Sequence, residues 1–102
     1  MGASQRPDAR RSERVASRIP VTLLAKSMGL EFEQPASTID LSKHGLRIQT
    51  FEPLNPARPL SPGQPVCVLG SRGARLKYCQ VVWVRAVESD GPVQAGLEFL
   101  SP

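Results

Sequence analysis

The sequence predicts an all-β fold: a small six-stranded antiparallel β-barrel fronted by a flexible basic N-terminal arm. Three observations carry this reading. Ten prolines and eight glycines among 102 residues work against long helices. From Ile19 onward, short apolar runs alternate with polar residues at the period of a half-buried strand. Turn-forming clusters separate these runs at strand-like intervals. Six short strands suit a closed barrel, because closure removes exposed sheet edges.

Each element follows in order. Residues 1–18 lack apolar periodicity and form the arm; a helical turn over Ala9 to Val15 would be marginal alone. Residues 19–102 form the barrel. Ile19 to Lys26 is the first strand, with Pro20 tolerated near its start. Met28 to Glu31 is a turn. Phe32 to Leu41 is the second strand, broken near Pro35. Gly45 to Thr50 alternates cleanly and is the third. Residues 52–65 carry Pro53, Pro56, Pro59, Pro62 and Pro65 and form a loop, with a turn at Pro62-Gly63. Pro65 to Leu69 is the fourth strand, and Gly70 to Gly73 the hairpin turn after it. Leu76 to Val87 is the fifth and longest. Ser89 to Pro92 turns into the last, Val93 to Leu100, where Ala95, Leu97 and Phe99 alternate with polar neighbours.

Composition narrows the function. The net charge is +4 and the pI near 9.7, which favours an anionic partner. The charge is concentrated: the arm holds Arg6, Arg10, Arg11, Arg14 and Arg18 and no lysine. Guanidinium groups make planar, two-pronged contacts to phosphate and to guanine edges, whereas an ammonium is a point charge. Cys67 and Cys79 sit in apolar runs and read as buried reduced thiols. With His44 the only histidine, no metal-ligand spacing exists. No secretory leader follows Met1 and no apolar run reaches membrane-span length, so the expected location is the cytoplasm. The expectation is of no enzyme and no cofactor: a sole histidine within one tight turn of Asp40 and Ser42 gives no catalytic triad geometry. There is also no glycine-rich phosphate loop opening a helix. Five aromatic residues in mostly apolar contexts (three Phe, one Tyr, one Trp) weigh against a nucleic-acid groove.

Two short motifs stand out. Arg10-Arg11-Ser12-Glu13-Arg14 contains R-x-x-x-R as Arg10 and Arg14. Arg14 and Arg18 form an overlapping copy. Arg10/Arg14 is preferred because Arg14 then precedes an apolar residue and a spacer before the Pro20-Val21 strand. Asp40-Leu41-Ser42-Lys43-His44-Gly45 reads D-x-S-x-x-G. Alone, an Asp followed two residues later by Ser caps a turn, and a basic arm is a solvated segment. His44 reads as a surface turn residue, the alternative being a ligand-proximal group, and Trp83, inside a valine run, as core or barrel-end packing, the alternative being a direct stacking role.

Taken together, the motifs and their order resemble the PilZ domain family. The framework agrees: Pro20-Val21 after the arm, Pro62-Gly63 before a valine-rich strand, Val81-Val82-Trp83-Val84, and Gly96-Leu97-Glu98-Phe99 near the end. The resemblance covers residues 10–100. It implies a six-stranded barrel that binds cyclic di-GMP, singly or as a stacked dimer, with the arm wrapping over the ligand. The implied ligand residues are Arg10 and Arg14, with the adjacent Arg11, on the arm, and Asp40, Ser42 and Gly45 on the barrel. Arginines suit phosphate and the guanine O6/N7 edge. Asp40, acceptor-only when ionised, suits guanine N–H groups. Ser42 suits phosphate, and Gly45 allows positive φ or close backbone approach. Ordering of the arm would signal to a downstream protein. The alternative is a PilZ-fold scaffold that binds protein and no nucleotide. Family members often carry a helix after the last strand; with the sequence stopping at Pro102, that helix is either missing or cut off.

Overall fold

The computed structural model describes residues 14–70 and 75–100. The expected turn at Gly70 to Gly73 lies largely outside these residues, and so does most of the helical turn considered for Ala9 to Val15. Seven strands form one sheet: β1 Val15–Ala16, β2 Pro20–Ser27, β3 Leu30–Leu41, β4 Gly45–Thr50, β5 Pro65–Leu69, β6 Arg75–Ala86 and β7 Val93–Phe99. Their order is β1-β3-β2-β5-β6-β7-β4, and β4 also pairs with β3. That last pairing closes β2 to β7 into the expected six-stranded antiparallel barrel. The seventh strand is a difference from expectation. Val15 and Ala16, read as part of the arm, pair with Leu41 and Asp40 of β3.

The core follows from period-two alternation. Val21, Leu23 and Ala25 of β2 point inward, with Leu46 and Ile48 of β4, Val66 and Val68 of β5, and Ala95 and Leu97 of β7. Leu60 from the proline-rich loop joins them. Cys67 and Cys79 are both free and buried, as expected. Burial, and then the neighbouring Cys67, push the Cys79 thiol up to about 11, so it stays protonated at neutral pH.

Pro35 does not break β3, which runs unbroken from Leu30 to Leu41. The Pro35 carbonyl accepts from Phe51 N–H, on the β4 side. Backbone N and O of one strand residue point to the same side, so the Pro35 nitrogen faces that side too. Regular β4 pairing starts only at Ala36↔Thr50, so the missing N–H costs no ladder bond.

The expected turn at Met28 to Glu31 is tighter than the sequence suggested. Ser27 pairs with Leu30, leaving Met28 and Gly29 as a two-residue loop with φ of 52° and 81°. Positive φ at both positions defines the I′ hairpin, which fits the strand twist but favours Asn-Gly. A methionine there carries a steric cost and, 98% exposed, makes little compensating contact. Met28→Asn is therefore expected to raise stability by about 0.5–1 kcal/mol, read as an upward shift of the denaturant midpoint with unchanged slope.

Two bulges decide which side chains face outward. In β3 the register shifts between Thr38 and Asp40, making Ile39 the extra residue. Before the bulge Phe32, Ala36 and Thr38 are buried; after it Leu41 packs on the core. Asp40 is thereby turned to the outer face, opposite Arg47. In β6 the shift falls between Val81 and Trp83, making Val82 the extra residue. Cys79 and Val81 face in, Val84 rejoins the core, and Trp83 is turned outward, opposite Gly96. The sequence reading of Trp83 as packing is corrected here: the extra residue moves it off the core face.

Candidate functional site

The two bulges place their displaced residues in one row of the sheet. Reading across the outer face, Trp83 pairs with Gly96, Gly96 with Arg47, Arg47 with Asp40 and Asp40 with Ala16. Five strands thus contribute one continuous strip.

Asp40 is the electrostatic centre. Arg14 Nη1 donates to Oδ1 at 2.8 Å, and Arg47 Nε donates to Oδ2 at 2.9 Å. Arg47 Nη2 also donates to Oδ2. The hydrogen bond from Arg47 and the charges of both arginines hold the Asp40 carboxyl below its usual range, against the opposing effect of burial. Asp40 in turn raises the Arg47 guanidinium. One carboxylate between two guanidiniums leaves a surplus positive charge on the strip.

Arg14 is held in place by the chain that follows it. Ser17 N–H donates to the carbonyl of the bulge residue Ile39 at 2.9 Å. The Thr38 hydroxyl, fully buried, accepts from Ile19 N–H and donates to the Ser17 carbonyl, both at 2.9 Å. These bonds fix residues 17–19 against β3 and bring Arg14 over Asp40.

Ser42 and Gly45 shape the turn between β3 and β4. The Ser42 hydroxyl accepts from His44 N–H and Gly45 N–H and donates to the Gly45 carbonyl. Its hydrogen bonds are thus made within the turn. His44 is exposed, as expected of a turn residue. Of the two reasons for a glycine at Gly45, close approach is the operative one. A Cβ there would lie 2.1 Å from the Leu97 carbonyl oxygen of β7.

The Trp83 indole packs over Gly96, where an added Cβ would come within 2.2 Å of the indole Nε1. The Arg85 guanidinium sits 5.1 Å from the indole ring and donates to Gln94 Oε1 at 3.1 Å. Trp83, Arg14, Ser42, His44, Gly45 and Glu98 line an open cleft of about 190 Å³. A larger groove, about 400 Å³, crosses β2, β5 and β6 past Leu24, Cys67 and Tyr78, but includes no motif residue. Charge and hydrogen-bonding chemistry therefore single out the smaller cleft.

Of the residues named from sequence, the structure brings Arg14, Asp40, Ser42 and Gly45 to one end of the strip. Arg10 and Arg11 lie outside the described residues. Two residues were missed. Arg47 alternates with buried Leu46 and Ile48, so its outward direction was readable, but its pairing with Asp40 depends on the bulge. Trp83 was read from its valine run chiefly as packing, and its outward direction depends on the β6 bulge. Among the described residues, no cluster of histidine, cysteine and carboxylates could hold a metal ion, and no helix is long and apolar enough to cross a membrane.

Comparison with known proteins supports the fold independently. The structure resembles the PilZ domain of YcgR from Escherichia coli, solved with c-di-GMP, at a TM-score of 0.64 and 17% identity. The alignment covers 93% of this chain and 82% of that one. At this identity the likeness speaks to the fold. No curated protein sequence matches. The family model for the PilZ domain, however, matches residues 8–102, from the arm through the last strand. With both motifs inside that span and the barrel closed as the family requires, the chain belongs to the PilZ domain family.

Proposed function

We propose that this PilZ domain is a receptor for cyclic di-GMP, and that binding reorders the arm and signals to a partner protein. The carrying observation is the Arg14–Asp40–Arg47 cluster beside a cleft walled by an indole. The pieces match the ligand's chemistry. Its phosphates call for guanidinium donors, which Arg14 supplies together with Arg10 and Arg11 of the arm. Its guanines present N–H donors to an ionised Asp40 and flat faces to Trp83. Gly45 and the Ser42 turn supply the floor, where close strand approach leaves no side chain in the way. The cleft has room for one base, so the rest of the ligand would lie along the strip under Arg14. The same receptor could take the nucleotide singly or as a stacked pair, with the arm arginines balancing the added phosphate charge.

Conformational signalling is the part that depends on Arg14. Its side chain is 46% exposed and makes one hydrogen bond to Asp40, from a residue outside every strand. Moving it needs no disruption of the barrel.

Calorimetric titration with cyclic di-GMP tests the reading, with GMP and cyclic di-AMP as controls. Selective binding at micromolar affinity or tighter is expected. Arg14→Ala is expected to weaken it by a factor of about 10–100, the loss of a charged hydrogen bond. Absence of binding by the folded protein would leave the scaffold reading, in which the barrel serves a protein partner alone.

A further inference from the structure

The two guanidiniums on Asp40 are not equivalent. Arg47 reaches Oδ2 with two donors, Nε and Nη2, from the neighbouring strand, where it is the register partner of Asp40. Arg14 reaches Oδ1 with one donor, from a coil residue. Arg47 is also the more covered, 34% exposed against 46%. A carboxylate has about four acceptor positions, two per oxygen. Among the described residues, Arg47 fills those on Oδ2 and Arg14 takes one of the two on Oδ1, which leaves one position on Oδ1 open.

We propose that Arg47 is a positioning residue that fixes the Asp40 carboxylate, and that Arg14 is the exchangeable partner, passed from Oδ1 to an anionic group of the ligand as a purine N–H takes its place. The inference rests on the nucleotide reading above and assigns a role to a residue outside both motifs. The geometry makes it selective. With Oδ2 held, the edge offered to a base is Oδ1 alone. A guanine edge presents two adjacent N–H donors to it, while the corresponding adenine edge presents a ring acceptor that the oxygen repels. Exchange at Oδ1 also conserves hydrogen bonds. Arg14 gives up one contact to a carboxylate and gains one to a phosphate, while Asp40 stays satisfied throughout, so no buried charge is left bare. Were Arg47 the one displaced, two bonds would break at once and Asp40 would lose its stronger partner.

A double-mutant cycle tests this on the full chain, by titrating cyclic di-GMP into wild type, Arg47→Gln, Asp40→Asn and the double variant. Arg47→Gln alone is expected to weaken binding roughly 10-fold. In the Asp40→Asn background the same change is expected to cost less than about twofold, because Arg47 acts through Asp40. Arg47→Lys keeps the charge but cannot donate as a planar fork, and is expected to fall near Arg47→Gln rather than near wild type. Thermal melts of each variant confirm that folded protein is being titrated. An equal cost of Arg47→Gln in both backgrounds, or no cost in either, overturns the positioning role while leaving the receptor reading intact. Absence of binding by the wild-type protein removes both together.

Discussion

Replacing Gly45 with alanine is expected to destabilise the barrel more than any other single change near the site. The added Cβ would sit 2.1 Å from the Leu97 carbonyl oxygen and 3.2 Å from the Glu98 Cα. Both are backbone atoms of β7, so no side chain can rotate away. Relief requires separating β4 from β7, where Gly45 pairs with Glu98 and Leu46 with Leu97. That seam is part of the barrel's closure, and Phe99 N–H to the His44 carbonyl at 2.8 Å extends it. A cost of about 2–4 kcal/mol is expected, at the upper end for overpacking because the obstruction is main chain. For a domain of this size that lowers the melting temperature by roughly 10–25 °C. A melt within about 3 °C of wild type would mean that β7 yields easily and that the closure is looser than the geometry implies.

Asp40→Asn is expected to cost roughly 1–3 kcal/mol at neutral pH, because it leaves two guanidiniums facing each other across a neutral amide. The pH dependence is the sharper test. The folded state holds the Asp40 carboxyl below its ordinary value of 3.8, so the unfolded chain takes up this proton more readily than the folded one. The stabilisation is therefore complete down to about pH 5, starts to fall as pH approaches 3.8, and disappears as pH falls through the depressed folded-state value. Denaturant unfolding of wild type and Asp40→Asn should show a constant gap from pH 7 to about 5, and the gap should narrow as the solution is taken below 3.8. A gap independent of pH would assign the loss to packing rather than to the ion pairs.

The sequence was most legible where strands alternate regularly. β2, β4 and β7 lie within a residue or two of their expected bounds, because Val21-Leu23-Ala25, Leu46-Ile48 and Ala95-Leu97 keep period two throughout. Pro35 was misread because a missing N–H matters only on a side that has a partner, and pairing partners are a tertiary property. β1 was missed because two residues carry no periodic signal; Val15 and Ala16 are exposed and strand-like only through β3. At the site, Asp40 and Arg14 were readable through the two motifs. The direction of Trp83 and the pairing of Arg47 were not, since each depends on a bulge that local composition does not announce.

Ile39 and Val82 make a different point about how this surface is encoded. Neither residue is paired within the strip, although Val82 lines the cleft beside Trp83, and substituting either for another residue of similar shape would leave Asp40 and Trp83 where they are. Removing either one would not. The strand would regain its uninterrupted phase, and a carboxylate or an indole would rotate through the wall of the barrel, with every recognisable motif letter still present. The information that shapes this face is carried partly as a count of residues rather than as their identities. Two relatives with identical motifs but strands differing in length by one residue can therefore share a fold and a family without sharing a ligand.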